Sequence, residues 1–298
     1  MKLMLGKNDM QSIKKLRHTN ELNQTLSSIA LSAKRVLFLA LSQVNPRTEI
    51  NIEDTIYVTA QDFSTITNSD LANSYGHLKE GADILRKVSL RLEKEEVELI
   101  SNEIGLNGKA PKYMDLNLME YCVYNNDEGR IGIKFTKTAS KYISSIVGSE
   151  RKYTTQALIS VVMLPTTHST TLYQLIRKKI GMSSSRFANG FDITIAELKK
   201  EMGLYSEDGS ELYEDYKFFK RDVLTKAIKE INDKTEVFDL DFVVSGKIGR
   251  KIDKLFFRYK IDEEKFKESL KSNLEKENDL FLEGFDKLFP SEGDNEND

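Results

Sequence analysis

Residues 193–231 read ITIAELKKEMGLYSEDGSELYEDYKFFKRDVLTKAIKEI, and residues 58–68, much earlier in the chain, read VTAQDFSTITN. Each stretch opens with a β-branched residue and a threonine, Ile193–Thr194 and Val58–Thr59, and continues as a short amphipathic run. A threonine hydroxyl at that point can accept from the free backbone N–H groups that start a helix. Both stretches therefore predict a short helix entered at a threonine. The later one continues into a long helix predicted over Glu211 to Ile231, whose segment FFKRDVLTKAIKEIN (218–232) echoes GADILRKVSLRLE (81–93) in position and pattern. A repeated order of elements implies a duplicated architecture.

Working outward, the first copy begins at Asn20. Leu22, Leu26, Ile29, Ala33, Val36, Leu37, Ala40 and Val44 keep a helical rhythm that predicts one long amphipathic helix closing before Pro46. Phe63 and Ile66 mark the short helix after Thr59. Tyr75 to Leu92 predicts a third helix with a buried stripe of Leu78, Ala82, Leu85 and Val88, and with Lys79, Arg86, Lys87 and Arg91 falling mostly away from it. Met114, Leu116 and Leu118, then Ile131, Ile133 and Phe135, alternate with polar residues on either side of NNDEG (125–129), which predicts a β-hairpin. Three helices followed by a hairpin is the order of a winged helix, a helix-turn-helix variant whose last helix can enter the major groove of DNA.

The second copy follows the same order. Helical segments at Thr155 to Leu164 and Thr170 to Ile180 precede the stretch quoted above. A hairpin then alternates Phe238, Leu240, Phe242 and Val244 on one strand with Leu255, Phe257, Tyr259 and Ile261 on the other. A trailing helix, Thr138 to Val147, and a polar join near Gly148 to Arg151 separate the copies. The expected fold class is α+β: an N-terminal arm (1–19), two tandem winged-helix domains (20–148 and 149–261), and an acidic tail (262–298). The tail continues as helix through Phe266, Leu270 and Leu274 and ends in the apolar-free run PSEGDNEND, which should be disordered.

Composition excludes several classes. The 298 residues carry 44 Lys+Arg and 47 Asp+Glu, with 39% hydrophobic residues, and no run approaches the roughly 18 apolar residues of a spanning helix. The start MKLMLGKNDM has no signal-peptide core, so a cytoplasmic location is expected. Cys122 is the single cysteine, and His18, His77 and His168 are too far apart for zinc-ligand spacing, so neither an internal disulfide nor a metal or other cofactor is expected. GLNGKA (105–110) lacks the spacing and hydroxyl of a phosphate-binding loop, and no nucleophile elbow or dinucleotide fingerprint occurs. His168 beside Ser169 is read as a loop dipeptide, and Cys122, in the apolar run MEYCVY, as an inert buried thiol. The chain reads as a non-enzyme.

Charge points towards a polyanion. The tail holds 5 Lys against 13 Asp+Glu, so the net charge of −3 conceals a body of +5. In the second copy Lys217, Lys220 and Arg221 stand near the start of the last helix, with Lys226 further along. The hairpin tip SGKIGRK (245–251) carries Lys247, Arg250 and Lys251 without an acid, and its glycines permit close approach to phosphates. At about 100° per residue Lys220 projects into the buried arc of Phe219, Val223, Ala227 and Ile231, and Arg221 lies at its edge. The first tip, Asn125 to Arg130, sets Asp127 and Glu128 against Arg130. The second domain is thus expected to make most specific DNA contacts and the first to add phosphate contacts.

The run YEDYKFFKRDVLTKAIKEIND, an aromatic and basic helix ending in Glu-Ile-Asn, and RKYTTQALISVVMLPTTHSTTLYQLIRKKIG before it, together with NELNQTLSSIALSAKRVLFLALSQV near the start, resemble the plasmid replication initiators of the Rep_3 type, also described as the RepB or iteron-binding family. The resemblance covers about Asn20 to Ile261. It implies two winged helices that bind repeated origin sequences (iterons) in double-stranded DNA, self-association through the first domain as dimers that repress the initiator's own promoter, and recruitment of the host replication initiator and replicative helicase. The family's basic pair falls on Lys220 and Arg221, while Asp222 stands where many relatives carry another basic residue. A winged-helix transcriptional regulator without an initiation role is the alternative that the same residues allow.

Overall fold

The structure is a computed structural model, and it describes residues 15–51, 53–93, 95–106, 111–144, 152–183, 189–206 and 208–268. The join near Gly148 to Arg151, most of GLNGKA, and the tail beyond residue 268 lie outside the described residues.

The first unit starts with strand β1 (Lys15–Thr19) and helices α1 (Asn20–Ser28) and α2 (Leu31–Leu41). One long helix was the expectation. Instead the chain turns extended at Ile29 and Ala30, with ψ near 150° at both, so the apolar rhythm is divided between two helices. Strand β2 (Ile56–Thr59) leads into α3 (Ala60–Thr67), where the Thr59 hydroxyl accepts from the Asp62 N–H and the Asp62 carboxylate accepts from the Thr59 N–H, a reciprocal cap. Helix α4 (Leu71–Leu85) buries Leu78, Ala82 and Leu85 against α2. It ends earlier than expected, because Ser89–Glu93 is strand β3: Leu90 and Leu92 are buried while Ser89 and Arg91 are exposed, the period of two of a sheet. After α5 (Glu95–Glu103), strand β4 (Tyr113–Asn117) pairs with β3. The hairpin around NNDEG is therefore formed not by the Met114–Leu118 strand but by β5 (Met119–Asn125) with β6 (Arg130–Phe135). Helix α6 (Lys137–Ser140) gives way to turns at 141–144, so within the described residues the trailing helix is shorter than the expected Thr138 to Val147, whose last three residues lie outside them.

The second unit repeats the scheme. β7 (Tyr153–Ala157), α7 (Leu158–Met163) and α8 (Thr167–Met182) precede β8 (Gly190–Thr194) and α9 (Ile195–Glu201), which is capped by the Thr194 hydroxyl on the Glu197 N–H. The long helix begins at Tyr216, not Glu211. It consists of α10 (Tyr216–Phe218), a π-helical turn (Phe219–Leu224) and α11 (Thr225–Lys234). Strands β9 (Val237–Ile248) and β10 (Lys251–Ile261) form the hairpin, and α12 (Glu263–Glu268) follows.

The duplication is visible in topology. The first sheet has the order β2-β6-β5 and the second β8-β10-β9, so in each the strand before the short helix pairs with the returning strand of the hairpin. The registers correspond: Val58 faces Ile131 and Thr59 faces Arg130, as Ile193 faces Leu255 and Thr194 faces Lys254. β3, α5 and β4 are an insertion peculiar to the first unit.

Buried polar groups tie the units together. β1 and β7 form an antiparallel pair with Arg17 opposite Thr155. The Glu236 carboxylate, fully buried at the root of β9, accepts from Ser160 Oγ at 2.7 Å, Tyr173 Oη at 2.8 Å and Arg177 Nη1 at 3.1 Å. It thereby joins the base of the hairpin to α7 and α8. Lys34 of α2 is also fully buried and donates to Thr171 Oγ1 of α8 at 2.7 Å; burial draws its pKa down to about 7. His18 is held at about 4 by burial and sits neutral, Nδ1 donating to the Thr19 carbonyl and Nε2 accepting from the Gln156 amide. His168 lies in the first turn of α8, not in a loop, and Cys122 is only half-buried on β5.

Candidate nucleic-acid interface

In the second unit the entry to the long helix and the tip of the hairpin border one groove, to which the tip contributes Arg250 and Lys251. Ile195, Ala196 and Lys199 of α9, Glu211, Glu214, Asp215 and Tyr216 at the helix entry, and Ile248 with Arg250 to Asp253 at the tip line a space of about 570 Å³. The tip turns at Gly249, whose φ of +59° is the left-handed conformation that glycine adopts without steric cost. Lys247, Arg250 and Lys251 are exposed there and form no ion pair among the described residues. Ile248, between them, is 70% exposed. The groove's other wall carries Glu211, Glu214 and Asp215. Asp215 accepts from the Lys217 N–H at 2.7 Å and so caps the helix, and Glu211 pairs with the buried Lys199 ammonium at 2.7 Å.

The helix phase departs from expectation at one residue, with a physical reason. The Thr225 N–H bonds to the Lys220 carbonyl, five residues back, and the Thr225 hydroxyl donates to the same oxygen at 2.8 Å. This π turn holds one residue more than an α turn. The buried set becomes Phe219, Val223, Leu224, Ala227 and Ile231, centred away from Lys220, and Lys220 is exposed. An unbroken progression of about 100° per residue had turned Lys220 inward. Its ammonium lies 5.8 Å from the centroid of the Phe242 ring on β9, so the hairpin supports the helix's cation. Lys217 and Lys226 are exposed and without an ion pair among the described residues.

Arg221 is exposed but engaged. Its Nε and Nη2 donate to Asp222 Oδ1 and Oδ2, both at 2.7 Å, and its guanidinium lies 4.9 Å from the Phe218 ring centroid. The adjacent guanidinium holds the Asp222 carboxyl below the usual carboxylate range. The sequence reading placed Phe242 on the hairpin and noted Asp222 as a departure from the family's basic residues, but it did not assign Phe218, Asp222 or Phe242 as partners of these cations. The signal for them was an aromatic or acidic neighbour beside a basic residue, a pattern that acquires meaning only with the π turn in place.

The first unit's cations are more dispersed. Lys79 stands 6.0 Å from the Tyr124 ring, Arg86 is 3.9 Å from Asp83, and Lys87 is exposed in the turn after α4. Arg91 is not on the helix at all. On β3 it makes a bidentate pair with Asp115 at 2.8 and 2.9 Å, which lowers the Asp115 pKa through that hydrogen bond, and it lies over Tyr113. Arg130, the only cation of the first hairpin tip, pairs with Glu128 and lies 4.3 Å from the Tyr57 ring centroid. The two tips thus differ in electrostatics as their sequences do. Among the described residues no group of His, Cys, Asp and Glu is arranged to hold a metal, and no helix is long and apolar enough to cross a membrane.

Comparison with known proteins also finds two winged-helix regions, with the first reaching through β7 and α7 into α8. Residues 15–177 match the model of the initiator replication protein WH1 domain, and residues 194–259 match that of the initiator Rep protein WH2 domain. The PI protein of Escherichia coli is 37% identical over 294 residues, which are 95% of this chain and 96% of that protein. A crystal structure of Pi initiator protein in complex with iteron DNA aligns with a TM-score of 0.75 at 38% identity, over 85% of this chain and 99% of that one. With two winged helices of matching topology, and with a family match across more than half its length, the chain belongs to the initiator replication protein family.

Proposed function

We propose that this protein is a plasmid replication initiator that binds iteron repeats in double-stranded origin DNA, with the second winged helix as the main reader. The observation that carries this reading is the hairpin tip, whose exposed Lys247, Arg250 and Lys251 have no ion-pair partners among the described residues, with Arg250 and Lys251 bordering the groove at the entry to the long helix. A winged helix puts its last helix into the major groove while its hairpin tracks the adjacent backbone. Phosphate contacts by Lys217, Lys226 and the tip would position the protein, and the side chains of the π turn would specify sequence. The Pi structure with iteron DNA supports the assignment of ligand.

In this reading the functional units are 20–148 and 149–261, with the arm before them and the acidic tail after them. The first unit adds phosphate contacts through Lys79, Arg86 and Lys87, and through Arg91 only after release from Asp115. It also carries self-association. Bound copies distort an adjacent A·T-rich segment and recruit the host initiator and helicase, many weak contacts together meeting the cost of melting. The protein acts by binding, in the cytoplasm on plasmid DNA, without bond chemistry. The test is a mobility-shift titration of the full chain on DNA from its own plasmid. Retardation by an array of direct repeats beside an A·T-rich stretch is expected. Retardation only by an isolated palindrome favours a regulator, nicking of supercoiled DNA with Mg²⁺ demands an enzyme, and no retardation of any DNA removes the reading.

A further inference from the structure

We infer that Asp222 is a positioning residue that aims Arg221 at a guanine in the iteron, so that this pair reads a base and does not grip a phosphate. The inference rests on the proposed entry of the second-unit helix into the major groove and names what one side chain there recognises.

A guanidinium has five N–H donors in a rigid plane. Asp222 takes one on Nε and one on Nη2, each at 2.7 Å, which occupies the side of the fork and leaves its end, formed by Nη1 and the second Nη2 hydrogen. That end presents two parallel donors, the arrangement that matches the O6 and N7 acceptors of guanine. The Phe218 ring covers one face at 4.9 Å, so a carboxylate at one edge and an aromatic at one face restrict the side chain's rotation. Arg221 nevertheless remains 62% exposed, with its tip accessible.

Two alternatives are weaker. A structural ion pair would contribute little in this setting, since the site is solvated and such pairs add little to folding. A phosphate grip is disfavoured because the bidentate pair is close to neutral, and a carboxylate beside the backbone repels it. Neighbours in sequence do not ordinarily face each other on an α-helix; here both residues lie within the π turn, a local geometry that recurs at functional sites. Pre-organising a long side chain reduces the freedom it loses on binding.

The experiment selects binding sites from a randomised duplex pool with the full chain and its Arg221→Ala, Asp222→Asn and Asp222→Glu variants, then measures affinity for the selected site and for its single-base-pair substitutions. For the parent chain we expect one G·C pair discriminated about tenfold or more. Arg221→Ala and Asp222→Asn should both lose discrimination at that pair alone. Asp222→Asn should at the same time bind unrelated duplex more tightly, since a negative charge has gone, and Asp222→Glu should restore part of the preference. A merely structural role for the carboxylate would leave base preference unmoved. If Arg221→Ala loses the guanine preference and Asp222→Asn keeps it in full, the positioning role is overturned while the helix assignment stands. If neither variant alters preference at any position, the positioning role and the helix assignment fall together.

Discussion

Replacing Lys247 and Arg250 together by alanine separates the hairpin's contribution from that of the helix. Both side chains are exposed, unpaired among the described residues, and flank Gly249, whose backbone the change leaves alone. Folding should be unaffected. If each cation neutralises one phosphate, each releases condensed counterions, and the slope of log K against log salt falls by about 0.9 per contact. Loss of two contacts reduces the slope by about 1.8, so between about 50 and 200 mM salt the ratio of parent to variant affinity should shrink about tenfold. Fluorescence anisotropy with a duplex carrying the iteron, titrated at four or five salt concentrations, measures this directly. The sequence selected by the variant should be unchanged, because phosphate contacts carry no base information. Parallel salt plots for parent and variant would refute the reasoning, as would a changed base preference with an unchanged slope.

Two further expectations concern buried polar groups. Glu236→Ala removes the buried carboxylate that accepts from Ser160, Tyr173 and Arg177, and should cost about 3–5 kcal/mol in urea unfolding; a loss below about 1 kcal/mol would show that the network relaxes freely. Lys34→Met replaces a buried ammonium by an apolar chain of similar volume. Folded Lys34 loses its proton near 7, whereas the unfolded chain holds it to the ordinary lysine value. The unfolded state binds more protons in between, and the parent's stability should gain up to about 1.4 kcal/mol per pH unit above pH 7 from this group. The methionine variant should therefore exceed the parent most at pH 6 and least at pH 9. An equal difference at both would contradict the depressed pKa.

How much of this was legible depends on the element. Thr59 and Thr194 announced two helix starts because a cap is local chemistry, and the structure forms both bonds. The alternation at Phe238 to Ile261 announced the second hairpin for the same reason: strand periodicity is written into one short segment. Three features were set by tertiary context instead. Ser89 to Glu93 alternates Leu90 and Leu92 with polar residues, but Leu85, Val88 and Leu92 also fit a helical stripe, and only pairing with β4 selects the strand. The break at Ile29 and Ala30 has no proline or glycine to mark it. The π turn has no residue signature either, yet it decides which way Lys220 points and how Arg221 meets Asp222. The cations that the sequence singled out are exposed in the structure, and the partners that restrain Lys220, Arg221 and Arg91 emerged only with the fold.

The most direct measurement is a hydroxyl-radical and methylation-protection footprint of the full chain on its plasmid origin, with Arg221→Ala alongside. The account predicts protection repeated with the period of the direct repeats, each repeat covered on one face of the duplex by two patches about one helical turn apart, and a guanine N7 that is shielded by the parent chain and reactive with the variant. Uniform or absent protection, with every guanine N7 equally reactive in both, would contradict it.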